Sequence, residues 1–156
     1  MPLANNRYVS VLDLGVGDRH SVADYLSPTQ AMLESTLWIA LGGALGSVSR
    51  FWLALAFDAL FASTFPWATV VTNVTGSFVI GAVAALPVGP LSRQFLMVGV
   101  LGGYTTFSAF SLQTLVLVQD GEWPKAAANV LASVILCLVA VWLGYMLAGN
   151  FRGGEA

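Results

Sequence analysis

Four long apolar stretches dominate the chain from residue 37 onward, and short polar breaks separate them. The stretches run over residues 37–60, 67–86, 95–118 and 126–148. Each is long enough to cross a bilayer as a helix, which takes about 20 mainly apolar residues. Proline and glycine residues lie in the breaks, as is usual at the ends of helices. The pattern therefore predicts an all-α membrane protein with four transmembrane helices.

The composition supports this fold class and excludes several functions. Of the 156 residues, 57% are hydrophobic and only 9% are charged, and the mean hydropathy is +0.79. A soluble domain carries roughly 25% charged residues. The single cysteine, Cys137, cannot form an intramolecular disulfide, and one cysteine with one histidine cannot make a Cys/His zinc site. A formal net charge of −2 offers no basic surface for nucleic acid.

The first 35 residues differ from the rest of the chain. Residues 1–35 contain several charges and no sustained apolar core, so they do not resemble a secretory signal peptide. We expect an N-terminal extension, either a flexible tail or a short surface helix, before a transmembrane domain at 36–149 and a C-terminal tail at 150–156. Met32 leads directly into the first stretch and is a candidate for an alternative natural start, which would make residues 1–31 dispensable.

The charges that flank the spans leave the orientation open. Four spans bring both termini to one side, where Arg19, Arg93 and Arg152 lie, against Lys125 and Arg50 on the other side. The positive-inside rule takes the orientation from this bias in lysine and arginine, and here the two sides are almost equal. The chain could insert both ways round, or other signals could select one orientation.

Polar side chains inside the apolar stretches are the candidates for function, because burying them without partners is costly. Arg50 is the one charged side chain inside the stretches, and Asp58 lies at the very end of the first. Arg50 could extend to the membrane surface or lend positive potential to an anion path. Thr69, Asn73 and Ser77 follow one another at intervals of four and share one helix face. This face could serve a path or simply bond to a neighbouring helix.

The third stretch predicts a broken helix. Its run Gly102–Thr106 reads Gly-Gly-Tyr-Thr-Thr, a poor choice for an unbroken helix. Broken helices at membrane depth occur where the freed backbone groups are buried in protein or line a cavity, and exposed carbonyls there can bind a cation. Phe107 and Phe110 lie on one face just beyond, and the edges of their rings carry positive partial charge that suits an anion.

Two weaker patterns involve polar residues of the fourth stretch and small residues spaced four apart. In the fourth stretch, Asn129, Ser133 and Cys137 follow at intervals of four and form one polar stripe. Pairs of small residues four apart recur and are typical of closely packed membrane helices. These pairs are Gly42/Gly46, Thr72/Gly76, Ser77/Gly81 and Gly99/Gly103.

Three ordered motifs resemble those of the Fluc (CrcB) family of fluoride channels. Residues 42–51 (GGALGSVSRF) resemble its first-span signature, residues 72–78 (TNVTGSF) its second-span motif and residues 102–110 (GGYTTFSAF) its third-span motif. The resemblance extends over residues 35–149. Asn129 and Cys137 depart from the tyrosine or serine that the family often carries in its fourth span, and the long N-terminal segment is also atypical.

The resemblance implies an antiparallel, dual-topology homodimer with two parallel fluoride pores and one structural sodium ion at the dimer centre. It assigns the main-chain carbonyls of Gly102 and Thr105 to sodium. Asn73 would donate a hydrogen bond to fluoride, ring edges of Phe107 and Phe110 would line the pore, and Arg50 would lie near the aqueous vestibule. The complete set that we assign to the fluoride pathway is Thr69, Asn73, Phe107, Ser108, Phe110, Ser133 and Arg50.

The expected function is therefore a passive fluoride channel in the cell membrane, and not an enzyme. Fluoride that enters as the neutral acid and is trapped as the anion would leave down its electrochemical gradient, which lowers its toxicity. The alternatives are a four-helix small multidrug exporter and a membrane scaffold without transport. The exporter class needs a glutamate inside the membrane, whereas Glu34 precedes the first stretch.

Overall fold

The computed structural model describes residues 28–61 and 63–153, and every regular element among them is helical. Four helical segments among these described residues are long and apolar enough to cross a membrane, which agrees with the predicted number of spans. The third segment is divided into several parts. The elements are α1 (Pro28–Leu60), α2 (Trp67–Ala85), α3 (Pro90–Arg93), a π-helix (Gln94–Leu101), α4 (Gly102–Tyr104), α5 (Phe107–Gln119) and α6 (Trp123–Gly153).

The helices extend beyond the apolar stretches from which they were predicted. Helix α1 begins at Pro28, whereas the first apolar stretch begins at residue 37. Proline is well suited to a first helical turn, because its missing N–H has no partner there in any case. The preceding part of the predicted extension, residues 1–27, lies outside the described residues. Hydropathy thus marks the membrane-crossing part of a helix rather than its ends.

The turn between α5 and α6 is closed by a glycine. Gly121 has a φ of 75°, a left-handed conformation that glycine adopts without steric cost. The N–H of Gly121 donates to the carbonyl of Val118, and the N–H of Glu122 donates to that of Leu117. This pair of bonds is the Schellman arrangement that ends many helices. It reverses the chain tightly and brings α6 back along α5.

Glycines allow α2 and α6 to pack backbone against backbone. A β-carbon on Gly81 would overlap the carbonyl of Val141, and one on Gly144 would overlap the carbonyl of Phe78. Helix α2 makes its most extensive contacts with α6. Without a hydrophobic force between helices in lipid, such close approach supplies van der Waals contact. Of the Ser77/Gly81 pair of the sequence, Gly81 therefore lies at a helix interface, whereas Ser77 lines the groove described below.

A second glycine interface joins α1 to the third segment. A β-carbon on Gly42 would lie 2.6 Å from the carbonyl oxygen of Phe95, and one on Gly46 would overlap the carbonyl of Val100. Opposite them, a β-carbon on Gly103 would lie 2.5 Å from the carbonyl oxygen of Gly43. The π-helix and α4 are therefore held against α1 at backbone distance, immediately before the break.

Much of the remaining apolar surface is exposed. On α1, the side chains of Leu41, Leu45, Phe51 and Trp52 are more than half exposed. Soluble monomers rarely expose so many large apolar side chains together. It fits a chain whose helices face lipid or another copy of the protein.

Candidate functional site

The third segment is broken at Thr105 and Thr106, as the sequence predicted. Helix α4 ends at Tyr104, and Thr105 is extended, with φ −77° and ψ 156°. Thr106 is also extended, with φ −151° and ψ 114°, and α5 begins at Phe107. Two residues out of helical conformation interrupt the helical hydrogen-bond ladder in the middle of a membrane-crossing segment. Their backbone groups must therefore find other partners.

Asn73 of α2 supplies partners for both backbone groups of Thr106. The N–H of Thr106 donates to Oδ1 of Asn73 at 2.7 Å, and Nδ2 of Asn73 donates to the carbonyl of Thr106 at 3.0 Å. Thr106 itself is buried. Because an amide side chain carries an acceptor and a donor side by side, it imitates a backbone partner. Asn73 thereby joins α2 to the break.

These bonds release two particular carbonyls. In an unbroken helix the N–H of Thr106 would donate to the carbonyl of Gly102, and the N–H of Ala109 to that of Thr105. Here the Thr106 N–H donates to Asn73, and the Ala109 N–H donates to the Thr106 hydroxyl at 3.1 Å. Gly102 and Thr105, the residues assigned to sodium by resemblance, thus have carbonyl oxygens freed from their helical hydrogen bonds.

Other residues of α2 hold the chain on the near side of the break. The hydroxyl of Thr75 and the phenol oxygen of Tyr104 are 3.0 Å apart and share a hydrogen bond. Gly76 leaves room for Thr105, since a β-carbon at that position would overlap Thr105 Cγ2. Together with Asn73, these contacts fix the break against a single turn of α2.

A groove of about 430 Å³ lies beside the break, between α2, the third segment and α6. It brings together most of the residues that the sequence assigned to ions. Those that line it are Asn73, Gly102, Thr105, Phe107, Phe110 and Ser133. Its wall is largely apolar, so these few polar groups determine what can be bound in it.

The two phenylalanine rings are neighbours in this groove. Their centroids are 5.2 Å apart and their planes meet at 48°. The Phe110 side chain is only 8% exposed, whereas that of Phe107 is 78% exposed. Phe107 therefore stands at the open side of the groove, where a single chain leaves it uncovered.

The polar stripe on α6 contributes one side chain to the groove and one to a helix contact. Ser133 lines the groove, is buried, and has a hydroxyl oxygen without a hydrogen-bond partner in the described part of the chain. Asn129 is completely buried, and its Nδ2 donates to the hydroxyl of Thr114 at 2.8 Å. That hydroxyl donates in turn to the carbonyl of Phe110 at 2.8 Å. Cys137 lines the groove one turn beyond Ser133.

Three of the predicted pathway residues lie outside the groove. Thr69 is buried and lines a second groove of about 510 Å³ at the α1–α2 and α5–α6 turns. The Ser108 hydroxyl is 3.2 Å from the Thr106 hydroxyl and shares a hydrogen bond with it, but Ser108 lines neither groove. Arg50 is partly buried on α1 and also lines neither groove.

Sequence reasoning missed the roles of Thr106, Tyr104 and Gln113. Thr106 and Tyr104 stand in the quoted third-span motif, but nothing in their residue types shows which backbone groups they satisfy. Gln113 lines the second groove, and its Oε1 is buried without a partner among the described residues. A signal was present for Gln113, because it lies three residues after Phe110 and so shares its helix face.

Several charged groups lie at the second groove. Asp58, Asp120 and Glu122 line it, and Lys125 pairs with Glu122 at 2.9 Å and donates to the Thr64 hydroxyl at 3.0 Å. Among the described residues there is no group of three histidine, cysteine or acidic side chains that could hold a metal ion. The main groove is lined instead by neutral polar residues, among them Asn73, Thr105 and Ser133.

Comparison with known proteins identifies the family. The family described as "CrcB-like protein, Camphor Resistance (CrcB)" matches residues 37–145, well over half of the chain. The chain belongs to the CrcB family. A CrcB relative from Opitutus terrae, named "Fluoride-specific ion channel FluC", is 56% identical over 119 residues, which cover 72% of this chain and 90% of the relative. A relative of the same name from Rhodospirillum rubrum is 53% identical over 118 residues, covering 70% and 91%.

Membership in the CrcB family agrees with the fold. The described part of the chain has four helices long enough to cross a membrane, and its relatives are named as ion channels, so this is a multi-pass membrane protein. The matched region, 37–145, contains the break, both glycine interfaces and the groove. The relatives are named as channels rather than as enzymes, in line with the expected non-enzymatic function.

Proposed function

We propose that this protein is a fluoride-specific channel that exports fluoride down its electrochemical gradient. The observation that carries the proposal is the groove, in which Asn73, Phe107, Phe110 and Ser133 meet beside the break. Relatives up to 56% identical carry the name of a fluoride-specific ion channel. Two independent observations therefore support the proposal: the names of the relatives, and a groove whose polar residues suit an anion.

The chemistry of the groove suits a small, strongly hydrated anion. A pore must replace the water around the ion with donors, and yet bind weakly enough for the ion to leave. Asn73 has a second N–H besides the one that donates to the Thr106 carbonyl. The Ser133 hydroxyl, which has no hydrogen-bond partner among the described residues, is another donor. The edges of Phe107 and Phe110 add positive partial charge without a fixed charge that would hold the ion.

The carboxylate on which a multidrug exporter depends has no counterpart in the groove. Of the acidic residues in the described spans, Glu34 is exposed near the start of α1 and Asp58 is exposed near its end. Neither lines the main groove. We therefore do not favour proton-coupled export by an embedded carboxylate.

We further propose that the carbonyls of Gly102 and Thr105 hold a structural sodium ion. The residues fit such an ion, because these carbonyls have lost their helical hydrogen bonds and oxygen atoms are the ligands that hard cations prefer. The Gly102 residue is exposed and Thr105 is half-buried, so both can be approached from outside the chain. When bound, the ion would supply positive charge that neutralises the freed carbonyl dipoles.

Two carbonyls are too few for a buried cation, and this supports a homodimer. A second copy related by a twofold axis would contribute the same two carbonyls and complete the site. It would also cover the open side of the groove, where Phe107 is 78% exposed. Because the flanking charges are nearly balanced, an antiparallel pair with dual topology is the arrangement that we propose.

Fluoride efflux from liposomes tests the function. Purified protein in vesicles loaded with fluoride should release it rapidly, and vesicles loaded with chloride should release chloride only slowly. Release of fluoride no faster than from protein-free vesicles would contradict the proposal. Tags at each terminus, probed from both sides of the membrane, should each be accessible from both sides if the topology is dual.

A further inference from the structure

Thr106 controls which backbone groups remain free at the break. Its N–H donates to Asn73, and its hydroxyl accepts from the N–H of Ala109. In an unbroken helix, these two N–H groups would donate to backbone carbonyls instead. Through the N–H, bonded to Asn73, it leaves the carbonyl of Gly102 free. Through the hydroxyl, which accepts from the N–H of Ala109, it leaves the carbonyl of Thr105 free. One residue therefore releases both carbonyls.

The Thr106 hydroxyl takes part in two hydrogen bonds. It accepts from the N–H of Ala109 at 3.1 Å and shares a hydrogen bond of 3.2 Å with the Ser108 hydroxyl. The side chain is only 7% exposed, so water does not readily take the place of these partners. Without the hydroxyl, the Ala109 N–H would be left unpaired in an apolar setting. Its nearest helical alternative is the carbonyl of Thr105.

We propose that Thr106 is a positioning residue for the cation at the break, and that its hydroxyl keeps the Thr105 carbonyl available by holding the Ala109 N–H. This inference rests on the proposed sodium site. Loss of the hydroxyl redirects the Ala109 N–H toward the Thr105 carbonyl, so that a hydrogen bond and a cation compete for one oxygen. The cation is then bound more weakly, although no ligand has been removed.

Thr106→Val and Thr106→Ser separate the hydroxyl from the shape of the side chain. Valine keeps the branched shape and the backbone N–H bond to Asn73 but cannot cap Ala109, whereas serine keeps the cap. Thr114→Val is the matched control, because it makes the same chemical change eight residues further along α5. The Thr114 hydroxyl donates to the carbonyl of Phe110 inside the helix and takes no part in the break.

Sodium binding should be measured on the full-length protein in detergent, without using fluoride transport. A ligand that binds the folded state raises the unfolding temperature in proportion to the logarithm of its concentration above Kd. Sodium chloride is therefore titrated against N-methylglucamine chloride at constant ionic strength. We expect Thr106→Val to need roughly tenfold more sodium than the wild type for the same rise in unfolding temperature. This tenfold change corresponds to about 1.4 kcal/mol in the free energy of sodium binding. Thr106→Ser should be close to the wild type.

The Thr114→Val control separates a specific loss of sodium binding from a general loss of stability. Thr114→Val should unfold at a lower temperature but respond to the same sodium concentrations as the wild type. A wild-type sodium response in Thr106→Val would overturn the inference, as would a serine variant that is as impaired as valine, or a wild-type protein indifferent to sodium.

Fluoride efflux, measured on the same preparations, distinguishes the inference from the proposed function. A protein that binds sodium through Thr106 but releases no fluoride would contradict the channel function and leave the role of Thr106 standing. Rapid fluoride efflux from a protein that does not respond to sodium would support the channel and overturn the role of Thr106.

Discussion

The Asn73 side chain on α2 and the Thr106 backbone at the break are joined by two hydrogen bonds. The Thr106 N–H donates to Asn73 Oδ1 at 2.7 Å, and Asn73 Nδ2 donates to the Thr106 carbonyl at 3.0 Å. The pair spans 33 positions of sequence. It satisfies backbone groups that would otherwise lie unpaired within the membrane. It also places an amide donor beside the groove, so one side chain serves both the architecture and the candidate path.

Replacing Asn73 should cost stability as well as transport. Asn73→Leu removes both bonds and leaves the N–H and carbonyl of Thr106 unpaired, which should lower the free energy of unfolding by about 2–4 kcal/mol. Unfolding in detergent measures this. Asn73→Asp keeps the acceptor for the Thr106 N–H but replaces the donor to the Thr106 carbonyl with a negative charge, so it should also lose stability and abolish fluoride efflux. A leucine variant as stable as the wild type would contradict this role.

The ring edges at the groove can be tested by removing aromaticity. Phe107→Ile and Phe110→Ile should each slow fluoride efflux roughly tenfold or more, equivalent to about 1.4 kcal/mol in the barrier, while the protein still assembles. Phe51→Ile provides the control, because Phe51 is exposed on α1 and lines neither groove. Unchanged efflux in both groove variants would show that the rings are not part of the path.

The backbone contact between α2 and α6 predicts a sharp difference between two glycines of α6. In Gly144→Ala the new methyl group meets the carbonyl of Phe78, so the helices must move apart, at a cost of about 1–3 kcal/mol. In Gly149→Ala nothing lies within 4 Å of the new carbon. This variant should be neutral or slightly more stable. Equal unfolding temperatures for the two variants would be inconsistent with the packing described.

The hydrogen bond from Asn129 to Thr114 is accessible to a double-mutant cycle. Asn129→Leu removes a 2.8 Å bond but also removes a buried Oδ1 that has no partner among the described residues. Its net cost should therefore stay below about 1 kcal/mol. Combined with Thr114→Val, the coupling energy should be about 0.6 kcal/mol, typical of hydrogen bonds between membrane helices. Strict additivity of the unfolding energies would exclude the bond.

The sequence predicted the four apolar spans and the position of the break, but not the bounds of the helices. Glycine and threonine residues at 102–106 predicted an interruption, and the chain leaves helical geometry at Thr105 and Thr106. The π-helix over Gln94–Leu101 was not predicted, because its hydropathy pattern does not differ from that of an α-helix, and its close contact with α1 is visible only in the structure. All assignments to the fluoride pathway stay predictions. Among them, Thr69, Ser108 and Arg50 lie apart from the main groove.

Hydropathy and length alone predicted the four helices, among the described residues, that are long and apolar enough to cross a membrane, since the cost of placing charge or unpaired backbone in lipid leaves few alternatives. The tertiary structure decided which carbonyls the break leaves free. That outcome depends on Asn73 and Thr106, which belong to different helices and meet only when α2 docks against the break. Local sequence can show that a helix must end, but it cannot show which distant side chain will satisfy the backbone that is released.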